Sequence, residues 1–176
     1  MIRAVFLDRD GVINADNRDF IKTWEEFVFL PQAKRGLRLL AGLPVKIIIA
    51  TNQSGIARGL VTPSSLADIH QRMKEEVSMA GGRIDAIYHC PHGPRDECEC
   101  RKPKAGMLLQ AAKDLDINLA ASWLIGDRAS DAEAARSVGA RPILVNNEIE
   151  HHTRSNPLSV VDNLFEAAQL IESEIK

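Results

Sequence analysis

Short apolar runs rich in branched side chains alternate with longer stretches of helical periodicity along this 176-residue chain. The apolar runs predict strands at about 4–7, 45–49, 84–88, 122–125 and 142–145. The longer stretches predict helices at about 32–41, 63–80, 105–114, 130–138 and 162–174. Strands that alternate with helices form a parallel, doubly wound sheet with helices on both faces. We therefore expect a Rossmann-like α/β fold, built as one domain over residues 1–176.

The near-neutral charge of the chain argues against a polyanionic partner. Its 22 Lys and Arg residues oppose 24 Asp and Glu residues, which leaves a formal charge of −2. Such a balance provides no bulk attraction to nucleic acid or to an anionic membrane. No apolar run approaches the roughly 20 residues of a membrane helix, and no secretory signal is recognisable. The three cysteines cannot all pair, which argues against a secreted disulfide framework, so we expect a cytoplasmic protein.

Two segments interrupt the alternation of strands and helices, at about 12–30 and about 89–104. Such segments inside a compact fold are often functional loops. Neither is long enough to form a large cap domain, so we expect a site beside them to be comparatively open to solvent.

Polar side chains follow three of the predicted strands at the points where these strands end. Asp8 and Asp10 follow the first strand, Thr51 ends the second and Asp127 follows the fourth. In open α/β sheets, ligands bind beyond the carboxyl ends of the strands. Carboxylates gathered there repel one another unless a cation or a shared proton separates them, and hard oxygen ligands suit Mg²⁺. We therefore expect a magnesium site that also screens the charge of an incoming phosphate.

The three cysteines cluster in one loop together with a histidine. Cys90, His92, Cys98 and Cys100 supply the three thiolates and one imidazole of a closed tetrahedral zinc site. His89 is a rival for the imidazole position. Reduced surface thiols or a strained Cys98–Cys100 disulfide are the alternatives without a metal. With no open coordination position, such a zinc ion would hold the loop and take no part in the chemistry.

The chain resembles the haloacid dehalogenase superfamily over nearly its whole length. The four motifs of that superfamily match the segments at Asp8, Thr51, Lys102 and Asp127. The resemblance implies that Asp8 attacks phosphorus to form an aspartyl-phosphate, while Asp10 protonates the leaving oxygen and then activates water. It also implies that Asp8, Asp127 and the backbone carbonyl of Asp10 hold Mg²⁺.

The same resemblance assigns the groups that bind the phosphoryl oxygens. Thr51 and Asn52 donate hydrogen bonds to these oxygens, and Lys102 neutralises their charge. Asp131 is either a partner of the metal site or an acidic residue at a helix N-terminus, and the sequence leaves both roles open. The other candidates for phosphate or substrate binding are Gln53, Ser54, Arg101, Arg128, Asp16 and Asp19.

Within the superfamily, the zinc loop and the Arg101-Lys102 pair resemble those of the heptose bisphosphate phosphatases. This resemblance implies removal of the 7-phosphate of D-glycero-D-manno-heptose 1,7-bisphosphate. The segment 16–19 corresponds to a substrate-contacting segment of that family but does not align cleanly with it. The insert between His92 and Cys98 is shorter, nearer to that of the histidinol-phosphate phosphatases, which are the alternative.

Two further interpretations lie outside this activity. One is a catalytically silent, zinc-stabilised binding module, which the presence of both Asp8 and Asp10 opposes. The other is a polynucleotide 3′-phosphatase, which the near-zero charge and the lack of a long basic stripe oppose. We expect a monomer that acts on a small phosphorylated molecule, without nucleic acid or membrane as partner, and the resemblance implies that this molecule is a sugar bisphosphate.

Several conspicuous residues are predicted to be structural. Trp24 and Trp123 are expected to pack against the body of the protein, and His70 is expected on the surface of a helix. The polar stretch 146–157, which includes His151 and His152, is predicted to be a surface loop.

Overall fold

The computed structural model describes residues 1–145 and 159–176, and these residues form a six-stranded sheet. The strands are β1 Ala4–Leu7, β2 Lys46–Asn52, β3 Ala86–Cys90, β4 Trp123–Gly126, β5 Arg141–Val145 and β6 Ser159–Val161. Their spatial order is β3-β2-β1-β4-β5-β6, and every neighbouring pair is parallel. This order confirms the predicted doubly wound sheet. The three-residue β6 has no counterpart among the sequence-predicted strands because it is too short to show a pattern.

The helices follow the strands in the predicted alternation. They are α1 Ala33–Ala41, α2 Pro63–Met79, α3 Gly106–Leu115, α4 Ala129–Ser137 and α5 Leu164–Ile175. At the start of α2, the backbone N–H of Ser65 donates to Thr62 Oγ1 over 3.0 Å, and Pro63 occupies the first helical turn. This cap satisfies one backbone donor that the helix itself leaves without a partner. The bounds agree with the sequence-based expectation to within two residues.

The two faces of the sheet bury different helices. Along β1, Val5 and Leu7 belong to a core that includes side chains of α1, α2 and α5. Ala4 and Phe6 belong to a second core that includes side chains of α3 and α4. Successive residues of a strand point to opposite faces, so a strand covered on both faces is apolar throughout. Trp123 in β4 is 1% exposed, which confirms its predicted packing role.

The chain changes direction at β1, since β2 lies on one side of it and β4 on the other. Leu7 is in register with Ile49 of β2 and with Ile125 of β4. The polar residues that follow these three strands therefore converge on one edge of the sheet. Such a switch point is where open α/β sheets bind ligands.

The two predicted loops flank this edge and contain no large cap. Within the described residues, the segment between β1 and α1 holds one short 3-10 helix, Trp24–Glu26, and the segment between β3 and α3 holds no helix or strand. None of the helices in the described parts of the chain is long and apolar enough to cross a membrane. The predicted loop at 146–157, with His151 and His152, lies outside the described residues.

Candidate active site

The segment that follows β1 closely approaches the segment that follows β4, and a glycine makes this approach possible. Asp8 directly follows β1, and its backbone N–H donates to the carbonyl of Ile125 over 2.9 Å. Gly11 has a φ of +83°, and a Cβ on it would overlap the carboxylate of Asp127. A glycine is therefore required here both by the left-handed backbone and by the close approach of Asp127. This is the physical reason for glycine after the two aspartates.

Three carboxylates form a cluster at this edge of the sheet. Oxygens of Asp8, Asp127 and Asp131 lie within 4.8 Å of one another. Lys102 Nζ lies 3.2 Å from Asp8 Oδ2 and 2.6 Å from Asp131 Oδ1, and both Lys102 and Asp131 are buried. Asp131 also caps α4, because its Oδ2 accepts from the backbone N–H of Arg128 over 3.2 Å. Asp131 therefore has the helix-terminal role, and it also lies in the carboxylate cluster that could hold a metal ion.

The cluster changes the proton affinity of its members. Burial raises the pKa of Asp8 to about 7, against the lowering effect of Lys102 and with further upward effects from Asp131 and other acids. Burial and the charge of Asp131 raise the pKa of Asp127 to about 6. Burial alone would lower the pKa of Lys102, but Asp8 and Asp131 raise it above its ordinary value. The lysine is thus held as a cation among carboxylates that gain from a positive neighbour.

Asp10 points away from this cluster toward a separate set of donors. Its carboxylate accepts from Arg9 Nη2 over 2.8 Å, from Asn14 Nδ2 over 2.8 Å and from Gln53 Nε2 over 2.8 Å. Burial opposes the charged form of Asp10, yet the charge of Arg9 and these hydrogen bonds hold its pKa below the ordinary value. Asp131, rather than the side chain of Asp10, is therefore the third carboxylate beside Asp8 and Asp127.

The prediction that His70 lies on the helix surface was wrong. His70 is only 8% exposed, and its Nε2 lies 3.2 Å from Nη1 of the buried Arg9. Burial and the charge of Arg9 lower the pKa of His70 to about 3, so the ring is neutral near pH 7. The sequence held a signal for this, because Leu66, His70, Met73 and Val77 share one helical stripe. Nothing in the sequence indicated that Arg9 is buried.

The ends of β2 and of the cysteine loop are joined by a pair of hydrogen bonds. Asn52 Oδ1 accepts from the backbone N–H of Lys102, and Asn52 Nδ2 donates to the carbonyl of Lys102, both over 3.1 Å. Thr51 is fully buried, and its Oγ1 accepts from Gln53 Nε2 over 3.0 Å. The side chain of Asn52 therefore fixes the backbone from which Lys102 reaches Asp8.

The four predicted zinc ligands converge in the loop that follows β3. The ligand atoms of Cys90, His92, Cys98 and Cys100 all lie within 4.8 Å of one another. His92 Nδ1 is 3.3 Å from Cys100 Sγ, and Cys90 Sγ is 3.8 Å from Cys98 Sγ. These separations are near the roughly 3.8 Å edge of a tetrahedron with Zn–S bonds of about 2.3 Å. The cluster therefore fits a closed zinc site.

The structure bears on two of the alternatives for this loop, the disulfide and the rival histidine. All three cysteines are free thiols, so the Cys98–Cys100 disulfide is absent. His89 precedes Cys90 in β3, is exposed, and lies outside the four-residue ligand group. His92 is therefore the imidazole of the cluster, as the sequence predicted.

A cleft of about 480 Å³ opens above Asp8 and Asp10. Seven residues that the sequence predicted to bind phosphate or substrate line this cleft: Asn52, Gln53, Ser54, Arg101, Lys102, Arg128 and Asp16. Asp19 and Thr51 are absent from its lining within the described residues. Basic side chains that the sequence did not single out also line it, among them Arg18 and Arg58. Six lining residues are basic and three are acidic, so the cleft suits an anion.

Two contacts position the arginines of the cleft. Arg101 Nη1 donates to the carbonyl of His92 over 3.1 Å, which ties Arg101 to the cysteine loop. Arg128 Nη2 lies 2.6 Å from Asp16 Oδ2, so a salt bridge joins the segments after β1 and β4. The guanidinium of Arg101 is thus placed by the same loop that carries the cluster of three cysteines and His92.

Comparison with known proteins agrees with this geometry. Residues 99–167 match the HAD-hydrolase-like family. The chain is 40% identical over 171 residues to the D-glycero-beta-D-manno-heptose-1,7-bisphosphate 7-phosphatase of Pseudomonas aeruginosa, with 97% of this chain and 96% of that protein covered. It is 41% identical over 146 residues to the D-glycero-alpha-D-manno-heptose-1,7-bisphosphate 7-phosphatase of Campylobacter jejuni, with 83% of each covered.

A solved structure shows the same likeness. The D,D-heptose 1,7-bisphosphate phosphatase of Bordetella bronchiseptica, crystallised with magnesium and phosphate, superposes with a TM-score of 0.88 at 34% identity. The match covers 98% of this chain and 99% of that one. The chain therefore belongs to the haloacid dehalogenase-like phosphatase family.

Proposed function

We propose that this protein removes the 7-phosphate of D-glycero-D-manno-heptose 1,7-bisphosphate by way of an aspartyl-phosphate. The observation that carries the proposal is the contact of Lys102 with Asp8 at the base of a basic cleft, in a chain whose relatives carry that activity in their names. When one phosphoryl group of a bisphosphate lies at Asp8, its second phosphate can bind to the arginines that line the cleft.

The first step is attack by Asp8 on phosphorus. A bond forms between its carboxylate oxygen and phosphorus while the bond from phosphorus to the sugar oxygen breaks. Lys102, buried beside Asp8, balances the negative charge of the phosphoryl group. Asp10, which lines the cleft, gives a proton to the departing sugar oxygen. One difficult displacement is thereby divided into two easier ones.

The second step is hydrolysis of the aspartyl-phosphate. Asp10, now ionised, takes a proton from a water molecule that attacks phosphorus. The bond between phosphorus and Asp8 breaks, which regenerates the carboxylate and releases inorganic phosphate. The donors Arg9, Asn14 and Gln53 stabilise the ionised form of Asp10 that this step requires.

The carboxylate cluster fits a magnesium ion. Asp8 and Asp127 offer oxygens within 4.8 Å, and no described residue donates a hydrogen bond to the buried Oδ1 of Asp127. We propose that Asp8, Asp127 and the backbone carbonyl of Asp10 hold Mg²⁺, with Asp131 beside them. When bound, the ion supplies positive charge against the phosphoryl oxygens.

The zinc cluster has a positioning role in this proposal. Zinc held by Cys90, His92, Cys98 and Cys100 would fix the loop from which Arg101 and Lys102 extend. Arg101 lines the cleft and carries a planar fork suited to the phosphate that is not removed. Arg128, Gln53 and Ser54 line the cleft as further substrate contacts.

We propose further that residues 1–176 form one phosphatase domain that acts as a monomer in the cytoplasm on a small sugar phosphate, without a nucleic-acid or membrane partner. The six described strands belong to one sheet, which supports the single domain. The three free thiols are consistent with a reducing compartment.

The test is phosphate release by the wild-type protein with Mg²⁺, using heptose 1,7-bisphosphate and histidinol phosphate in parallel. We expect the bisphosphate to have the higher kcat/KM. In ³¹P NMR, the phosphorus that remains on the product should couple to the anomeric proton. A preference for histidinol phosphate, or loss of the 1-phosphate, would contradict the proposed substrate.

A further inference from the structure

Arg9 is a charged side chain that stabilises the ionised Asp10 in the reaction described above, and it is only 1% exposed. One edge of its guanidinium makes three contacts with Asp10: Nε lies 3.3 Å from Oδ1, and Nη2 lies 2.8 Å from Oδ1 and 3.1 Å from Oδ2. Its Nη1 meets His70 Nε2 over 3.2 Å, and the ring of Phe27 lies 6.0 Å from its central carbon. A buried guanidinium needs partners for its donors, and here the partners are the acid Asp10 and one imidazole.

The chemistry of arginine determines the proton position on His70. A guanidinium has donors only, so Nε2 of His70 must be the acceptor in the contact with Arg9 Nη1. The ring is then neutral with its proton on Nδ1. A ring protonated on Nε2 would place two N–H groups against each other.

These contacts form a chain from helix α2 to Asp10. We infer that His70 is a positioning residue for the proposed reaction: by accepting from Arg9, it orients the guanidinium whose other edge holds the carboxylate of Asp10 toward the cleft. This inference rests on the proposed function, in which Asp10 is the general acid and base. His70 touches neither the substrate nor Asp8; it acts through Arg9 alone.

The geometry explains why a neutral acceptor is needed at position 70. A guanidinium bound on one edge can still tilt about its contacts with the carboxylate. An acceptor on the opposite nitrogen removes this freedom, and reacting groups are sensitive to displacement, since a shift of about 1 Å can cost on the order of 10²-fold in rate. Asn14 and Gln53 approach Asp10 from other directions and do not hold Arg9.

The test compares His70→Leu, which removes the acceptor, with His70→Gln, whose side-chain oxygen can replace Nε2. Both substitutions suit a helix interior. Single-turnover experiments measure the first step with heptose bisphosphate, whose sugar oxygen needs a proton, and with p-nitrophenyl phosphate, whose phenolate leaves without one. Burst release of p-nitrophenolate reports that first step directly.

We expect His70→Leu to slow the first step with the bisphosphate on the order of ten- to a hundredfold, with the p-nitrophenolate burst kept within about threefold. His70→Gln should restore most of the loss. Equal slowing of both substrates, or normal rates in a folded His70→Leu protein, would overturn the inference. Turnover of the bisphosphate by the wild type tests the proposed function separately.

A measurement on the unaltered protein keeps the inference testable if a variant fails to fold. In ¹⁵N NMR of the wild-type imidazoles, Nε2 of His70 should have the shift of an unprotonated, hydrogen-bonded nitrogen and Nδ1 that of an N–H. A proton on Nε2 would exclude the contact with Arg9 and with it the positioning role.

Discussion

Lys102 Nζ lies 3.2 Å from Asp8 Oδ2, and the side chain of Lys102 is completely buried. The two residues come from distant segments: Asp8 directly follows the central strand β1, and Lys102 follows the cysteine loop beyond β3. Asn52, at the end of β2, binds the backbone of Lys102 on both its N–H and its carbonyl. The position of the lysine thus depends on two other segments of the site.

Substitution of Lys102 should impair catalysis, whereas substitution of the adjacent Arg101 should change the preference among substrates. Lys102→Ala should lower kcat steeply for every phosphate ester, because its charge is needed at the transferred phosphoryl group. Arg101→Ala should mainly lower kcat/KM for the bisphosphate and spare p-nitrophenyl phosphate, which has no second anion. Steady-state kinetics on both substrates measure this, with the exposed Lys113→Ala as control. Equal losses for both substrates in the Arg101 variant would remove its role in specificity.

Removal of magnesium and loss of zinc should have different effects on the protein. Elemental analysis of protein prepared without added metal should find about one zinc per chain. Removing magnesium should abolish turnover and leave that zinc in place. Cys98→Ala should reduce zinc content and activity together, because a thiolate site couples metal binding to loop structure. Full activity with zinc alone would show that the two metal assignments are reversed.

Gly11→Ala should impair magnesium binding as well as stability. A Cβ at Gly11 would overlap the carboxylate of Asp127, and the φ of +83° disfavours a side chain. Gly59→Ala is a matched control, since its φ is +69° but no atom lies within 4 Å of the added carbon. We expect a higher magnesium requirement only in the Gly11 variant, measured by activity against Mg²⁺ concentration. The same requirement in both variants would contradict the role of the close approach.

His70 should make the folded protein lose stability as the pH falls below the ordinary histidine pKa of 6.5. Burial and Arg9 lower the pKa of His70 to about 3, so between these values the unfolded chain binds a proton that the folded one does not. The contribution to the free energy of unfolding is up to about 1.4 kcal/mol per pH unit. Urea unfolding at pH 7 and pH 5 should show a smaller pH effect in His70→Gln. An equal change in the free energy of unfolding between pH 7 and pH 5 in both proteins would show that His70 protonates in the folded state.

Five of the six described strands and most residues of the two candidate metal clusters were predictable because each leaves a local pattern. A parallel strand covered on both faces is a run of apolar residues, as in Ile47–Ile49 of β2. The three cysteines and His92 are close together in the chain, and Asp8 and Asp127 stand directly after strands whose ends must meet. The helices followed from the same alternation.

The partners of these residues were not predictable, since they depend on tertiary approach. Arg9 reads as a polar residue of a turn, and only the packing of α2 shows that it is buried against His70. Likewise, Asp131 belongs by sequence to a helix start, and its 2.6 Å contact with Lys102 depends on how α4 meets the cysteine loop. Polar contacts between residues far apart in the chain leave no periodic pattern in the sequence.

Phosphorylation of Asp8 is the step on which the proposed reaction depends, and chemical trapping tests it directly. Protein mixed with the bisphosphate and Mg²⁺ is quenched within a turnover and reduced with borohydride, which converts an aspartyl-phosphate to homoserine. Asp68→Asn, an exposed change on α2, is the control for substitution of an aspartate, and Asp8→Asn is the inactive reference because it forms no acyl phosphate.

We predict homoserine at position 8 in the wild type and in the control, seen by mass spectrometry of the tryptic peptides, and none in Asp8→Asn, which should also have lost essentially all turnover. Homoserine at another aspartate, or phosphate release at the normal rate by folded Asp8→Asn, would contradict the account.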